Sequence, residues 1–226
     1  MKRNRKTGKT QDKKNQSSGN KKSANKVNRV VKGRQQWADH LTEKAKQENY
    51  PARSVYKLME IQKKFTIIQK GSRVLDFGCA PGSWLLYAAK TAGENGRVNG
   101  IDLKSVEIEL PSNATAFVGD IFDMNEELAA VVGKGYDVIL SDMAPATTGR
   151  KDVDEARSIA LCQAALKAAS DLLETGGNFV CKIFQGGDFK HFENDFKAIF
   201  SSHSIFRPES CRKSSKEIYI IGKGRK

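Results

Sequence analysis

The run Val74-Leu75-Asp76-Phe77-Gly78-Cys79-Ala80-Pro81-Gly82-Ser83-Trp84 leaves an apolar segment, crosses a glycine-rich turn and enters a segment of helical periodicity. Glycine in such a turn lets the backbone approach a ligand closely, and the helix start behind it presents N–H groups that no helical carbonyl uses. The run is neither G-x-G-x-x-G nor G-x-x-x-x-G-K-[ST], so hydride transfer and ATP chemistry lose support. Asp102 stands 20 residues beyond Gly82, at the end of the next apolar run. An acceptor for the ribose hydroxyls of an adenosine is expected there. Asp120, after a third run, suits the adenine amino group. Taken singly, both are also ordinary loop acids; their joint spacing is what points to a nucleoside.

Other polar residues stand out by their surroundings. Lys182 lies inside Val180-Cys181-Lys182-Ile183-Phe184. A lysine in an apolar strand is uncommon unless it is paired or sits at the strand end. Asp142 follows the apolar run Tyr136–Ser141, where it either serves chemistry or caps the next turn. Glu217 and Lys57, each alone, read equally as an edge-strand charge and a solvated helix residue. Cys79, Cys162, Cys181 and Cys211 show no C-x-x-C spacing and no clustered histidine. Reduced core thiols are therefore expected, and no metal site. His40, His191 and His203 are scattered and take no role.

A frame must bring these residues together. Trp37 to Lys46 reads as a short amphipathic helix, Tyr50-Pro51 breaks it, and a helical period resumes from Ser54 to Phe65. Strands are then expected at Arg73–Phe77, Val98–Leu103, Ala114–Val118, Tyr136–Ser141, Asn178–Phe184, His203–Arg207 and Glu217–Ile221. Helices are expected at Ser83–Ala92, Glu126–Val132, Val153–Leu173 and Phe189–Phe200, with a further one allowed for between the second and third strands. Continuous apolar strands alternating with helices predict an α/β, doubly wound, Rossmann-like sheet of seven strands, mostly parallel, with helices on both faces. Only about nine residues, Pro208–Lys216, separate the last two strands. That is too few for a helical crossover, so those strands should pair antiparallel. Asp142 and Lys182 then fall near the carboxyl ends of parallel strands, where open α/β sheets form their sites. Glu217 starts the antiparallel strand at that same edge, and Lys57 arrives from the helix before the first strand. Gln185-Gly186-Gly187 reads as a substrate loop or a plain turn.

The charge of the chain is uneven. Of the 39 basic residues, 13 fall in residues 1–36 against Asp12 alone, so that segment holds +12 of the net +13. It has almost no apolar residues and is expected to be a disordered tail preceding a domain over 37–226. A flexible polycation suits RNA phosphates, though a solubilising extension has the same composition. No apolar stretch approaches the ~20 residues of a membrane span, and a cytoplasmic protein without membrane contact is expected.

The motifs are more specific in combination. D-F-G-C-A-P-G-S-W resembles the first motif of the FtsJ/RrmJ (RlmE-type) ribose 2′-O-methyltransferases, in which A-P-G-x-W follows the strand. Ser141-Asp142-Met143-Ala144-Pro145 resembles the family's S-D-M-A-P, and Val180-Cys181-Lys182-Ile183-Phe184-Gln185-Gly186 its V-K-x-F-Q-G. Arg53-Ser54-Val55-Tyr56-Lys57-Leu58 resembles R-x-x-[YF]-K-L, and Ser214-Ser215-Lys216-Glu217-Ile218-Tyr219 resembles S-x-E-x-Y. The likeness runs from about Trp37 to Lys226. One departure is Ala146-Thr147-Thr148-Gly149, where the family commonly has Asn after A-P and then x-S-G.

The resemblance implies a class I fold with S-adenosylmethionine as cofactor, held by Asp76, Gly78, Pro81, Gly82, Trp84, Asp102, Asp120 and Asp142. It also implies a catalytic Lys-Asp-Lys-Glu tetrad at Lys57, Asp142, Lys182 and Glu217. A ribose hydroxyl is a poor nucleophile at neutral pH and needs a base and a charged setting. Lys182 either takes its proton, with Lys57 and burial favouring a neutral amine, or stays charged and stabilises the alkoxide. The implied substrate is a uridine of the A-loop in large-subunit rRNA, an activity belonging to ribosome biogenesis; a monomer is expected. Similar domains act on tRNA anticodon loops or mRNA caps, with tRNA the nearest rival here. Amino-directed methylation would call for N-P-P-[YF] or D-P-P-Y in place of D-M-A-P, and a C5 enzyme for a cysteine nucleophile in a Pro-Cys context. A catalytically inactive RNA-binding module is disfavoured because all four tetrad residues are present.

Overall fold

The computed structural model describes residues 40–146, 148–184, 189–212 and 215–226. The basic tail, Trp37, Thr147, the Gln185-Gly186-Gly187 loop and Ser214 lie outside the described residues. Thr42–Lys226 form one compact unit; the other, Met1–Leu41, falls almost wholly outside the description. Residues 40–47 are helical and are called α1. Then follow α2 (Val55–Phe65), β1 (Arg73–Phe77), α3 (Ser83–Ala92), β2 (Arg97–Asp102), β3 (Ala114–Val118), α4 (Glu126–Val132) and β4 (Tyr136–Ser141). The chain ends with α5 (Lys151–Leu172), β5 (Leu173–Phe184), α6 (Phe189–Ile199), β6 (Phe200–Phe206) and β7 (Glu217–Arg225). No helix among the described residues is long and apolar enough to cross a membrane.

Among the described residues the seven strands share one sheet in the order β3-β2-β1-β4-β5-β7-β6. The pairs from β3 through β5 are parallel, and β7 runs antiparallel to both β5 and β6. Side chains of a strand alternate between the two faces of its sheet, and the core is divided accordingly. Val74, Val98, Val138, Leu140, Val180, Tyr219 and Ile221 pack with Leu58 and Ile61 of α2 and with Trp84, Leu85 and Ala88 of α3. Their sequence neighbours Leu75, Ile139, Phe179, Cys181, Ile218 and Ile220 pack on the other side with Ala165 and Ala169 of α5 and Phe192 and Phe196 of α6. Each fully buried aliphatic or aromatic side chain contributes about 1.5–3 kcal/mol, so a one-residue slip of any central strand is strongly resisted. The crossover helix after β1 therefore lies on one face and the one after β4 on the other. The crevice between the carboxyl ends of β1 and β4 is the switch point of the sheet.

Three details depart from the expected elements. No helix forms between β2 and β3; residues 103–113 are irregular. Val106, Ile108 and Leu110 alternate with polar residues at a period of two, which suits an extended strap, and Val106 and Leu110 pack on the α3-side core. β5 begins at Leu173, directly after α5, because Leu173 already pairs with Tyr136 before the register shifts around Gly176 and Gly177. β6 begins at Phe200, which is buried and opposes Arg225.

Candidate active site

Four charged side chains meet at the carboxyl edge of the sheet. Lys182 shares a face with Val180, one pleat further along β5, and so points toward α2. Its Nζ lies 3.1 Å from Asp142 Oδ1 and also donates to the Asp142 main-chain oxygen. Lys57, in the first turn of α2, donates to Glu217 Oε2 at 3.1 Å and stands 3.7 Å from Asp142 Oδ1. Asp142 is thus shared by two lysines, and Lys57 by two carboxylates. All four side chains are largely buried, Lys182 most of all, with 7% of its side chain exposed. Pairing of this kind is what permits charge at such burial.

Electrostatics fix the state of Lys57. Burial acts to lower the Lys57 pKa, but the Asp142 and Glu217 carboxylates outweigh it and hold the group above its ordinary value. Lys57 is therefore a fixed ammonium. Tyr219, on β7 two residues past Glu217, donates its hydroxyl to Asp142 Oδ1 at 2.6 Å. Burial first, and then Asp142, push that phenol well above its usual range. Buried beside the same carboxylates, the Cys211 thiol is pushed up to about 12, by burial and then by Glu217. Neither is an acid at neutral pH. Tyr219 was legible only as part of a motif; its bond to Asp142 joins residues 77 positions apart, which no local pattern reveals.

Beside this cluster lies the glycine-rich turn. Gly78 takes φ 77° and Gly82 φ 110°, a backbone region that favours glycine. A Cβ at Gly78 would come within 2.7 Å of Met143 Cγ, and one at Gly82 within 2.6 Å of Ile108 Cδ1. Asp102, at the end of β2, holds the turn by accepting from Ala80 N at 3.0 Å and caps its own loop by accepting from Lys104 N at 2.9 Å. Asp120 accepts from Phe122 N. Gly78, Asp102, Asp120 and Met143 line a cavity of about 190 Å³ with the exposed side chains of Leu103 and Phe122 at its wall. Two large apolar groups left in water beside two acids form a wall suited to a flat heterocycle. Leu103 and Phe122 were missed in the sequence because each reads as the plain end of an apolar run.

Asp76 is the unusual member. It is fully buried in β1, and neither carboxylate oxygen has a hydrogen-bond partner among the described residues. Burial, then the neighbouring charges of Asp142 and Asp102, hold its pKa well above the ordinary value. An orphaned buried carboxyl is costly, by about 1–3 kcal/mol or more, and an incoming N–H or ammonium donor relieves it.

A family model described as FtsJ-like methyltransferase matches residues 50–225. The chain belongs to the FtsJ-like methyltransferase family. The Ribosomal RNA large subunit methyltransferase E of Desulforapulum autotrophicum is 67% identical over 191 residues, covering 84% of this chain and 94% of the relative. The protein of that name from Bdellovibrio bacteriovorus is 46% identical, covering 83% and 97%. A solved ribosomal RNA methyltransferase structure from Plasmodium falciparum superposes with a TM-score of 0.67 at 26% identity, covering 78% of this chain and 98% of that one. FtsJ-like methyltransferases depend on S-adenosylmethionine, and the residues at the switch point fit it. The orphaned Asp76 carboxyl lacks a donor, Asp102 and Asp120 offer acceptors, and Gly78 and Gly82 give the turn its positive-φ path close against Met143 and Ile108.

Other expected cofactor residues are placed differently. Pro81 follows a cis peptide bond in the turn. Trp84 is a core residue: its indole Nε1 donates to Ser54 O at 2.8 Å and its ring lies 5.9 Å from that of Tyr219. With Ser83, which exchanges two hydrogen bonds with Ala52, it ties the cofactor turn to the start of α2 and so to Lys57. Ala146 is exposed in the loop after Asp142, and Asp154 holds that loop by accepting from Thr148 N and Oγ1.

Proposed function

We propose that this FtsJ-like methyltransferase methylates the 2′-hydroxyl of a ribose in large-subunit rRNA, at a uridine of the A-loop, working as a cytoplasmic monomer. The observation that carries this reading is the Lys57–Asp142–Lys182–Glu217 network standing beside the glycine turn and Asp76. The names of the high-identity relatives, ribosomal RNA large subunit methyltransferases, support large-subunit rRNA as the substrate. Asp76, Gly78, Gly82, Asp102 and Asp120 hold the cofactor, with Pro81 shaping the turn and Asp142 bordering both halves of the site. Bound S-adenosylmethionine supplies an electrophilic methyl carbon.

The protein's part is to present an oxygen nucleophile. Lys57, fixed as an ammonium by two carboxylates, stays out of proton exchange and lends positive charge. That leaves Lys182 as the amine that meets the hydroxyl and takes its proton. Asp142 fixes the direction of Lys182 through both its carboxylate and its carbonyl, and is itself fixed by Tyr219. Glu217 holds Lys57 in place. Positive charge near the oxygen stabilises its developing alkoxide character in a site with little water.

The test is transfer of labelled methyl to purified large ribosomal subunits and, in parallel, to bulk tRNA, with products digested to nucleosides. A labelled 2′-O-methyluridine from subunits is expected. Label confined to tRNA contradicts the substrate, and label on a base contradicts the reaction.

A further inference from the structure

The Lys57 ammonium has to stand between two carboxylates, yet α2 holds its own first turn weakly. Ser54, at the N-cap, keeps a helical φ of −58° and makes no side-chain cap bond, and no acid follows in the first turn. A capping side chain ordinarily satisfies an N–H group at such a helix start. Instead Val55, Tyr56 and Lys57 each reach back three residues, to Ala52 O at 3.4 Å, Arg53 O at 3.2 Å and Ser54 O at 3.1 Å. Bonds of that type are poorer in geometry than those of a helix interior. A Lys57 side chain carried on that turn drifts unless another element fixes it.

The first turn of α3 supplies the restraint. Ser83 Oγ accepts from Ala52 N at 2.7 Å and donates to Ala52 O at 3.0 Å, and Trp84 Nε1 donates to Ser54 O at 2.8 Å. All three are shorter than the bonds inside the α2 turn, and two of them end on the carbonyls that Val55 N and Lys57 N use. Both side chains are buried. A core indole needs one acceptor for its N–H, and any carbonyl would satisfy it. Here the acceptor is the one bonded to Lys57. The Trp84 ring also lies against that of Tyr219, and Lys57 Nζ stands 5.8 Å from the centroid of the same Tyr219 ring. Trp84 thus restrains both the main chain that carries Lys57 and the aromatic ring beside its ammonium. Gly82 is the N-cap of α3, so the turn that closes the cofactor loop also carries this clamp.

We propose that Trp84, seconded by Ser83, is a positioning residue for methyl transfer, clamping the first turn of α2 onto the start of α3 and so fixing the Lys57 ammonium relative to the cofactor turn. The indole then contributes to the rate through Lys57, while cofactor affinity belongs to the turn itself. A small displacement of a charged group is enough to cost rate, because the site works by holding its charges ready-placed. This inference rests on the reading of Lys57, Asp142, Lys182 and Glu217 as the catalytic set.

The test uses the full-length protein as wild type, Trp84→Phe, Ser83→Ala, Lys57→Met and the two double variants with Lys57→Met. Trp84→Phe keeps an aromatic ring and removes the N–H donor; Ser83→Ala removes one oxygen. Single-turnover methyl transfer to large ribosomal subunits is followed at saturating S-adenosylmethionine, with cofactor affinity measured by equilibrium titration. Trp84→Phe is expected to lower the rate about tenfold and Ser83→Ala about threefold, with cofactor affinity within about threefold of wild type. In the Lys57→Met background each change lowers the rate by less than about twofold, because the group it acts through is gone. The same fold loss in both backgrounds overturns the proposal, as does an unchanged saturated rate, with or without a loss of cofactor affinity. Lysine acylation by an amine-reactive anhydride, read by mass spectrometry, is the second measurement. In Trp84→Phe, Lys57 should label about tenfold faster through local opening, with the more deeply buried Lys182 and the exposed Lys167 unchanged. Equal gains at Lys57 and Lys182 mean a general loosening and overturn the clamp. Ser83→Ala decides both readouts if Trp84→Phe does not fold. A wild-type protein that methylates no subunit sinks the proposed function instead, and the Lys57 labelling still decides the clamp.

Discussion

At the residue scale the site combines groups that satisfy one another with one group that does not. Asp142 accepts from Lys182 and Tyr219 and stands against Lys57, so every partner restrains it. Tyr219→Phe removes one charge-assisted hydrogen bond and no volume to speak of. It should lower kcat about tenfold, from a loss of about 1.5 kcal/mol, with the RNA KM unchanged; steady-state kinetics checks this. Asp76 is the opposite case. Its folded pKa lies above its ordinary value of 3.8, so the ionised carboxylate costs the ligand-free fold increasing stability as pH rises above about 4. Asp76→Asn should therefore raise the unfolding temperature of the ligand-free protein, by more at pH 7 than at pH 4. The same change should weaken cofactor binding about 10- to 100-fold, the equivalent of about 1.5–3 kcal/mol. Thermal unfolding with and without S-adenosylmethionine reads both effects. A protein that gained affinity would remove Asp76 from the cofactor site.

At the element scale the active edge depends on β7 lying between β5 and β6. That strand brings Glu217 and Tyr219 opposite Phe184 and Lys182 of β5. It is held from the other face by Phe196 of α6 and Phe200 at the start of β6, which close over Gly222. A Cβ at that glycine would meet Phe196 Cε1 and Phe200 Cγ, each at 2.6 Å. Gly222→Ala should cost about 1–3 kcal/mol by overpacking, seen as a lower midpoint in denaturant unfolding at an unchanged slope. The strands themselves were legible because their apolar runs are continuous, and the antiparallel pairing because Pro208–Lys216 is too short for a crossover. The strap between β2 and β3 was less so, since an alternating Val106-Ile108-Leu110 pattern has meaning only once α3 is there to receive it. The tetrad was legible as a set through its motifs. That two carboxylates hold Lys57 charged depends on distances that only folding sets, and the bond from the Trp84 indole to Ser54 O likewise joins residues that no local pattern links.

On the scale of the whole molecule, charge and chemistry are separate. Nearly all the net charge sits in residues 1–36, while the rest of the chain is close to neutral. Deleting residues 1–36 should weaken RNA binding and flatten its dependence on salt, leaving kcat on saturating substrate within about twofold. Filter binding over a salt series checks this, and an unchanged slope would make the tail a bystander. The central claim is that Lys182 performs proton removal in ribose methylation, and it is tested most directly by single-turnover methyl transfer to large ribosomal subunits. Lys182→Ala and wild type are compared at saturating S-adenosylmethionine, with cofactor affinity measured alongside. The account predicts a rate lower by about 10²–10⁴ with cofactor affinity retained. A Lys182→Ala protein that transfers methyl at close to the wild-type rate would contradict it.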